Sequence, residues 1–329
     1  VGRVNVLVTG STGFVGSHLC QKLSAAGHQV RAFHRAASQM RGLEGLPVEH
    51  VIGDLTTPDS LYPALDGVEV VFHTAAWMGG NEQTGRLYTV TVEGTRSLLK
   101  AALECGVRRV VHTSSAAAFG IPDQKNANPP LLLNEHHTWN YRADNYPYGY
   151  AKYLAELEVQ KAVAAGQDAV IVNPTLIFGP GDLYRQSSSL ITQVAEQRIP
   201  AAVKGGINCV SIEDVVDGHL AALEYGKTGE RYILGGENLT FFQLLSLIAD
   251  VVGRPEPSLM IPDRLVNALA GPLRMFQPFF TLPVSPELLH LVGYTFFYDT
   301  RKAQEELHLA PPRPVRQAIQ DAYTWFQTI

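Results

Sequence analysis

Residues Val4–Gly16 read VNVLVTGSTGFVG. Val4, Val6, Leu7 and Val8 form an apolar run long enough for a buried strand. Thr9-Gly10-Ser11-Thr12-Gly13-Phe14-Val15-Gly16 follows at once, and Phe14, Val15, Leu19 and Leu23 then recur along one side of a helix. Strand, glycine turn and helix together are the context in which a glycine pattern becomes a phosphate site. Gly10 permits the tight turn, Gly13 lets the backbone approach a pyrophosphate, and Gly16 lets the helix pack closely on the strand. The helix entrance, with Thr12, Gly13, Phe14, Val15 and Gly16, offers unpaired N–H groups and the positive end of the helix dipole.

Outward from this stretch the same rhythm repeats. Gln29–His34, Val48–Ile52, Val68–His73, Arg109–Thr113 and Asp168–Val172 read as strands. Tyr88–Cys105 and Tyr148–Ala165 read as long helices, and Pro58 opens a short one at its favoured N-terminal end. The alternation predicts an α/β fold, a Rossmann-type doubly wound parallel sheet with ligands at the strand C-terminal ends. Gly120–Pro147, rich in Pro, Asn and His, breaks the rhythm, and a long irregular loop at that edge of a sheet is usually functional.

After Pro174 the alternation gives way to helical stretches near Ser187–Glu196, Asp214–Tyr225, Thr240–Val252, Asp263–Phe276 and Val315–Phe326. Thr240-x-x-Gln243 has the pattern of a capping box. The expected division is a dinucleotide-binding domain over 1–174 and a smaller C-terminal substrate lobe over 175–329, with segments returning to the first domain.

Composition narrows the function. Of the 329 residues 46% are apolar and 17% charged, which suits a globular chain with a large core. A net charge of −5 argues against a nucleic-acid partner, which needs a basic face. Cys20, Cys105 and Cys209 are far apart and lack metal-ligand spacing, so they read as buried thiols of a reducing compartment, with no metal site. No leader and no run of membrane-spanning length is seen, and a cytoplasmic location is expected.

The chemistry lies in three places. Tyr148-Gly149-Tyr150-Ala151-Lys152 puts Tyr148 and Lys152 on one helix face. A free tyrosine, with a pKa of about 10, is a poor acid or base at neutral pH. A neighbouring ammonium favours the phenolate, and the same ammonium can hold ribose hydroxyls of a cofactor. Tyr148 could then exchange a proton with a substrate oxygen. Tyr150 lacks a lysine partner four residues on, and Tyr153 reads as packing. Ser115 follows the fifth strand and can hydrogen-bond the same oxygen, with Ser114 as the alternative. Finally, no acid lies between Val30 and Gly42, where an acid would bind the ribose hydroxyls of NAD, while Arg35 is available for a 2′-phosphate. NADP is therefore expected, with NAD as the alternative.

The order T-G-x-x-G-x-x-G, serine, Tyr-x-x-x-Lys resembles the extended short-chain dehydrogenase/reductase family of NAD-dependent epimerases and dehydratases. The resemblance runs over nearly the whole chain and is nearest to its dihydroflavonol-reductase-like and hopanoid-associated sugar epimerase branch, including Gly229–Thr240. It implies Ser115, Tyr148 and Lys152 as catalytic residues. It implies Asp54 and Leu55 beside the adenine, Thr74, Ala75 and Ala76 against the cofactor, and Pro174 at the segment leading into the substrate lobe. It also implies a homodimer through the two long helices, with Leu99, Leu103, Leu154 and Leu157 as contact candidates.

Two departures from the family pattern bear on function. Thr91 stands where N-x-x-G-T has its asparagine, so the helix distortion or water relay of that asparagine is not expected here. Ile207-Asn208 stands where sugar-nucleotide enzymes carry Arg-Asp, and an isoleucine offers a diphosphate no donor, although Arg185 or Arg198 could compensate. The apolar stretches Leu265–Ala270 and Met275–Val284 read as core or as a membrane-surface patch; with part of them lining the cleft beside Trp77 and Trp139, the expected reaction is NADP-dependent reduction of an apolar ketone or aldehyde, or the reverse oxidation. The alternatives are a nucleotide-sugar epimerase or dehydratase with bound NAD, and a dinucleotide-binding regulator without turnover.

Overall fold

A computed structural model describes residues 2–77, 84–183, 188–199, 201–262, 266 and 290–328. The expected helix at Asp263–Phe276, the stretch at Met275–Val284 and Arg185 lie outside the described residues, apart from Val266.

The first half builds β1 (Asn5–Thr9), α1 (Phe14–Ala25), β2 (Gln29–His34), β3 (Glu49–Ile52), α2 (Leu61–Leu65), β4 (Val70–His73), α3 (Thr84–Tyr88), α4 (Gly94–Glu104), β5 (Arg109–Thr113), β6 (Leu132–Leu133), α5 (Pro147–Ala164) and β7 (Ala169–Pro174). The second half builds β8 (Leu176–Phe178), α6 (Ser188–Ala195), β9 (Ala201–Val203), β10 (Gly206–Ser211), α7 (Ile212–Tyr225), β11 (Arg231–Leu234), β12 (Glu237–Thr240), α8 (Phe241–Val251), β13 (Leu259–Ile261), β14 (Thr295–Tyr298), α9 (Arg301–Glu306) and α10 (Val315–Phe326).

Seven parallel strands in the order β11-β7-β5-β4-β1-β2-β3 form the main sheet. Its inner strands β7, β5, β4 and β1 are apolar on both faces because helices cover both, while β3 is an exposed edge. Val6, Val8, Phe72, Val111 and Val172 pack with Leu19 of α1 and Val215 of α7. The alternate residues Leu7, Val71, Val110 and Ile171 pack with Leu98 and Leu99 of α4 and Val159 of α5. Leu99 is thus core, whereas Leu103 and Leu157 are exposed.

A second sheet has the order β12-β10-β14-β6, with β8 also on β10. Its apolar side joins Phe178, Ile191, Leu244, Ile248 and Ile319. The capping box forms: Thr240 Oγ1 accepts from Gln243 N at 3.2 Å and Gln243 Oε1 accepts from Thr240 N at 2.9 Å. A fourth cluster, Phe119, Leu133, Ile233, Phe296 and Tyr298 with Tyr141, Tyr146 and Ile207 beside it, joins β11 of the main sheet to β6 and β14 of the second.

The expected single helix over Tyr88–Cys105 is divided. Thr89–Glu93 is a π-helical turn, with Gly94 N donating to Thr89 O, between α3 and α4. The distortion set aside on account of Thr91 is therefore present. Threonine serves it: Thr91 Oγ1 accepts from Trp77 N at 3.2 Å, and Thr91 O accepts from the Thr95 hydroxyl at 2.6 Å. No helix among the described residues is long and apolar enough to cross a membrane.

Candidate active site

The C-terminal ends of β1 to β5 bring the candidate residues to one edge of the sheet. Gly10 turns with φ +66°, and a Cβ there would stand 2.7 Å from Ala75 N. A Cβ on Gly16 would stand 2.2 Å from Gly10 O, so only glycine lets α1 start so close to the turn. Gly13 is the N-cap of α1 and supplies no side-chain cap, and the first turn holds no acid. The entrance N–H groups and dipole are thus left for an anion. Thr74 Oγ1 donates to Thr9 O at 2.7 Å, binding the end of β4 to the end of β1. These are the features a dinucleotide pyrophosphate requires, and the residues present fit one.

Further along the edge, Arg35 follows β2, is exposed, and makes no ion pair among the described residues. Asp54 Oδ1 accepts from Thr56 N at 2.9 Å and from Thr56 Oγ1 at 2.8 Å, so part of its carboxylate closes the turn after β3. Leu55 is buried. Pro174 closes β7 opposite Leu234 and is buried.

Ser115 caps a single 3-10 turn, Ala116–Phe119, accepting from Ala117 N at 3.2 Å. The Ser115 side chain also hydrogen-bonds the Tyr148 phenol, which comes from the first turn of α5. Burial raises the phenol above its ordinary value and the Ser115 bond pulls it back. Lys152 is not among the groups that act on it. One turn on, Lys152 is 3% exposed and donates to Thr113 O at 2.9 Å. Burial lowers its ammonium to about 8, opposed by the charge of Glu156.

The sequence reading missed the polar network behind these residues. Glu156, one turn past Lys152 and buried, accepts from Ser114 Oγ at 2.5 Å, Asn173 Nδ2 at 2.6 Å and Arg231 Nη1 at 3.1 Å. Asn173 also donates to Ser115 O at 3.0 Å. Arg231 donates to Glu135 O, and to His137 O at 3.0 Å, and lies 4.6 Å over the Phe119 ring. Ser114 is therefore occupied in holding the chain, and Ser115 is the serine at the phenol. The spacing Tyr148, Lys152, Glu156 was a readable signal for the carboxylate. Its partners Asn173 and Arg231 carried none.

Trp77 and Tyr148 both pack against Leu87, Val92 and Ala151, with Arg86 4.4 Å over the Trp77 ring. Trp139 stacks on Tyr146 and Tyr153 and lies 5.3 Å from Tyr150, which accounts for both outer tyrosines of the motif as packing. Ile207 is half-buried in the cluster of Phe119, Phe296 and Tyr298. Asn208 is fully buried, accepting from Thr175 Oγ1 at 2.8 Å and Gly236 N at 3.0 Å. Arg198 is paired with Glu196 at 2.9 Å.

The sequence matches the NAD dependent epimerase/dehydratase family over residues 6–235. The chain belongs to that family. It is 39% identical to a protein of Methylococcus capsulatus named sterol demethylase protein B, over 98% of each chain. It is 36% identical to a putative dihydroflavonol 4-reductase of Synechocystis, over 97% of this chain and 94% of that one. A crystal structure of a nucleoside-diphosphate-sugar epimerase from Pseudomonas aeruginosa superimposes with a TM-score of 0.82 at 26% identity, over 99% and 98% of the two chains. The match of fold and sequence to dinucleotide-dependent enzymes makes the chain an extended short-chain dehydrogenase/reductase and an enzyme.

Proposed function

We propose that the protein is an NADP-dependent oxidoreductase that reduces a ketone or aldehyde on a largely apolar molecule, or oxidises the corresponding alcohol. The observation that carries the reading is the placement of Ile207 in an aromatic cluster beside the Ser115 turn, with Asn208 consumed in holding backbone. A diphosphate needs paired, charge-assisted donors at such a place, and an apolar ring or chain does not. Two relatives whose names carry a sterol and a dihydroflavonol support the same class of substrate.

A bound nicotinamide dinucleotide supplies the hydride or receives it. Everything else falls to the chain. Ser115 and Tyr148 hold the substrate oxygen, and the phenol, kept protonated by burial, donates its proton to that oxygen as it gains charge. Lys152, fixed by Thr113 O, orients the ribose hydroxyls. The exposed Arg35 guanidinium takes the 2′-phosphate. The reaction takes place in the cytoplasm.

Thermal-shift titration in the presence of NADPH tests this. Apolar ring or chain ketones should give saturable stabilisation. Saturable stabilisation by UDP- or dTDP-sugars, with none from apolar carbonyl compounds, would transfer the chain to the nucleotide-sugar epimerases.

A further inference from the structure

On the sheet face covered by α4 and α5, a chain of hydrogen bonds runs from the cofactor edge to the π-helical turn through one imidazole. Thr9, His73 and Thr95 are each 1% exposed or less. His73 Nδ1 lies 2.7 Å from Thr9 Oγ1, and His73 Nε2 lies 2.9 Å from Thr95 Oγ1. The direction of every bond follows from counting hydrogens. The Thr95 hydroxyl has one, and it is spent on Thr91 O at 2.6 Å. Thr95 Oγ1 can therefore only accept from the ring, so Nε2 carries the proton. Burial and the charge of Lys152 lower the His73 imidazole to about 3, so the ring holds a single proton. Nδ1 is then a lone pair, and the Thr9 hydroxyl must donate to it. Thr9 Oγ1 still accepts from Ala75 N, at 3.4 Å.

The ends of this chain are the parts that matter to a cofactor. Thr9 precedes Gly10, whose Cα packs against Thr74 and Ala75. Thr91, at the other end, also holds Trp77 N. Trp77 and Tyr148 pack against the same cluster of Leu87, Val92 and Ala151. The segment from Thr74 to Trp77 is thus pinned at Thr74 and Ala75 to β1 and at Trp77 to the π-turn, with the His73 ring bridging the two anchors.

We propose that His73, as its Nε2–H tautomer, is a positioning residue that ties the cofactor-facing segment Thr74–Ala76 to the π-helical turn beside Tyr148. The inference rests on the dinucleotide site alone and not on which substrate is reduced. It explains why the turn persists with threonine at position 91: the carbonyl that the π-turn offers is taken by Thr95, and Thr95 is oriented by the ring.

Two measurements on the full chain test it, neither needing a substrate. Nitrogen-15 NMR of histidine-labelled protein, with the His73 signals assigned by their loss in His73→Asn, should show a protonated Nε2 and a bare Nδ1 at neutral pH. A proton on Nδ1 overturns the proposal. Fluorescence titration with NADPH and NADH should show both binding roughly tenfold more weakly to His73→Leu, the size of a lost buried hydrogen bond. His73→Asn, whose Oδ1 can take the Thr9 hydroxyl as Nδ1 does, should recover most of that loss. Thr9→Val should weaken binding as much as His73→Leu and add nothing to it. A folded His73→Leu with unchanged affinity, or Asn no better than Leu, overturns the proposal. Should His73→Leu fail to fold, Thr9→Val carries the affinity test and the wild-type spectrum decides the tautomer.

Discussion

The two sheets of this molecule are assembled by different rules. In the main sheet β1, β2 and β3 lie side by side in chain order, and single crossovers carry the chain to β4, β5 and β7. β1, β4, β5 and β7 are apolar on both faces, whereas β3 is an exposed edge strand. The second sheet collects β8, β10, β12, β14 and β6 from residues 132 to 298, in pieces of two to six residues. Under the proposed function, the first arrangement carries the proton-transferring groups at its strand ends and the second forms the wall that meets the substrate.

The largest expected effect falls on the first sheet. Tyr148→Phe should lower turnover on the order of a thousandfold with dinucleotide affinity little changed, measured by steady-state kinetics and titration. Lys152 sharpens the assignment through pH. Its ammonium is charged below about 8 and neutral above, so dinucleotide affinity should fall as pH rises through that value. Lys152→Met should lower turnover and affinity together and leave affinity flat with pH.

The next effect lies where the sheets meet. Arg231→Met takes the paired guanidinium from the Glu156 carboxylate, 4% exposed, and should cost about 3 kcal/mol in denaturant unfolding. Adding Glu156→Gln removes the buried charge and should recover most of the loss. If the double variant is no more stable than the single, Arg231 does not hold the Glu156 carboxylate as described.

Smaller again is the effect at β2. Arg35→Asp should shift the preference for NADPH over NADH by about tenfold to a hundredfold, as expected for one charge-assisted contact of roughly 1.5–3 kcal/mol. Equal weakening of both cofactors would break the assignment. Least of all, Thr240→Ala removes the cap of α8 in the second lobe and should lower stability by about 1 kcal/mol with turnover unchanged.

How much of this could be read beforehand follows the same contrast. The strand ends, the glycine turn and the row Tyr148, Lys152 were legible because periodicity and local spacing place them. β2, β5 and α10 have the bounds the periodicity predicts, and α5 differs by one residue at each end. Glu156 was legible in principle as the next member of that row. Arg231 was not, because it reaches Glu156 across 75 residues and the backbone of Glu135 across 96. The π-turn was hidden for another reason. Residues 89–93 keep an ordinary helical pattern, and the bond that accompanies the distortion, Trp77 N donating to Thr91 Oγ1, comes from another segment. α9 went unread, being only six residues of Arg301–Glu306 with one buried position. Beside the Ser115 turn, Ile207 was identified as a departure, but its aromatic neighbours come from residues 119, 296 and 298.

One feature of the sheet bears on how such enzymes can be recombined. β11 lies at the outer edge beside β7, with Tyr232 opposite Val172, although the chain reaches it only after building β8, β9 and β10. A fragment ending at Pro174 would leave β7 as a bare edge of unpaired N–H and C=O groups, the kind of edge that templates aggregation. It would also lose α7, whose Val215 and Val216 cover one face. Exchanging substrate preference between relatives is therefore not a matter of one crossover point. The graft must be spliced on both sides of 212–234, so that the recipient keeps its own α7 and β11 while the wall around them is replaced.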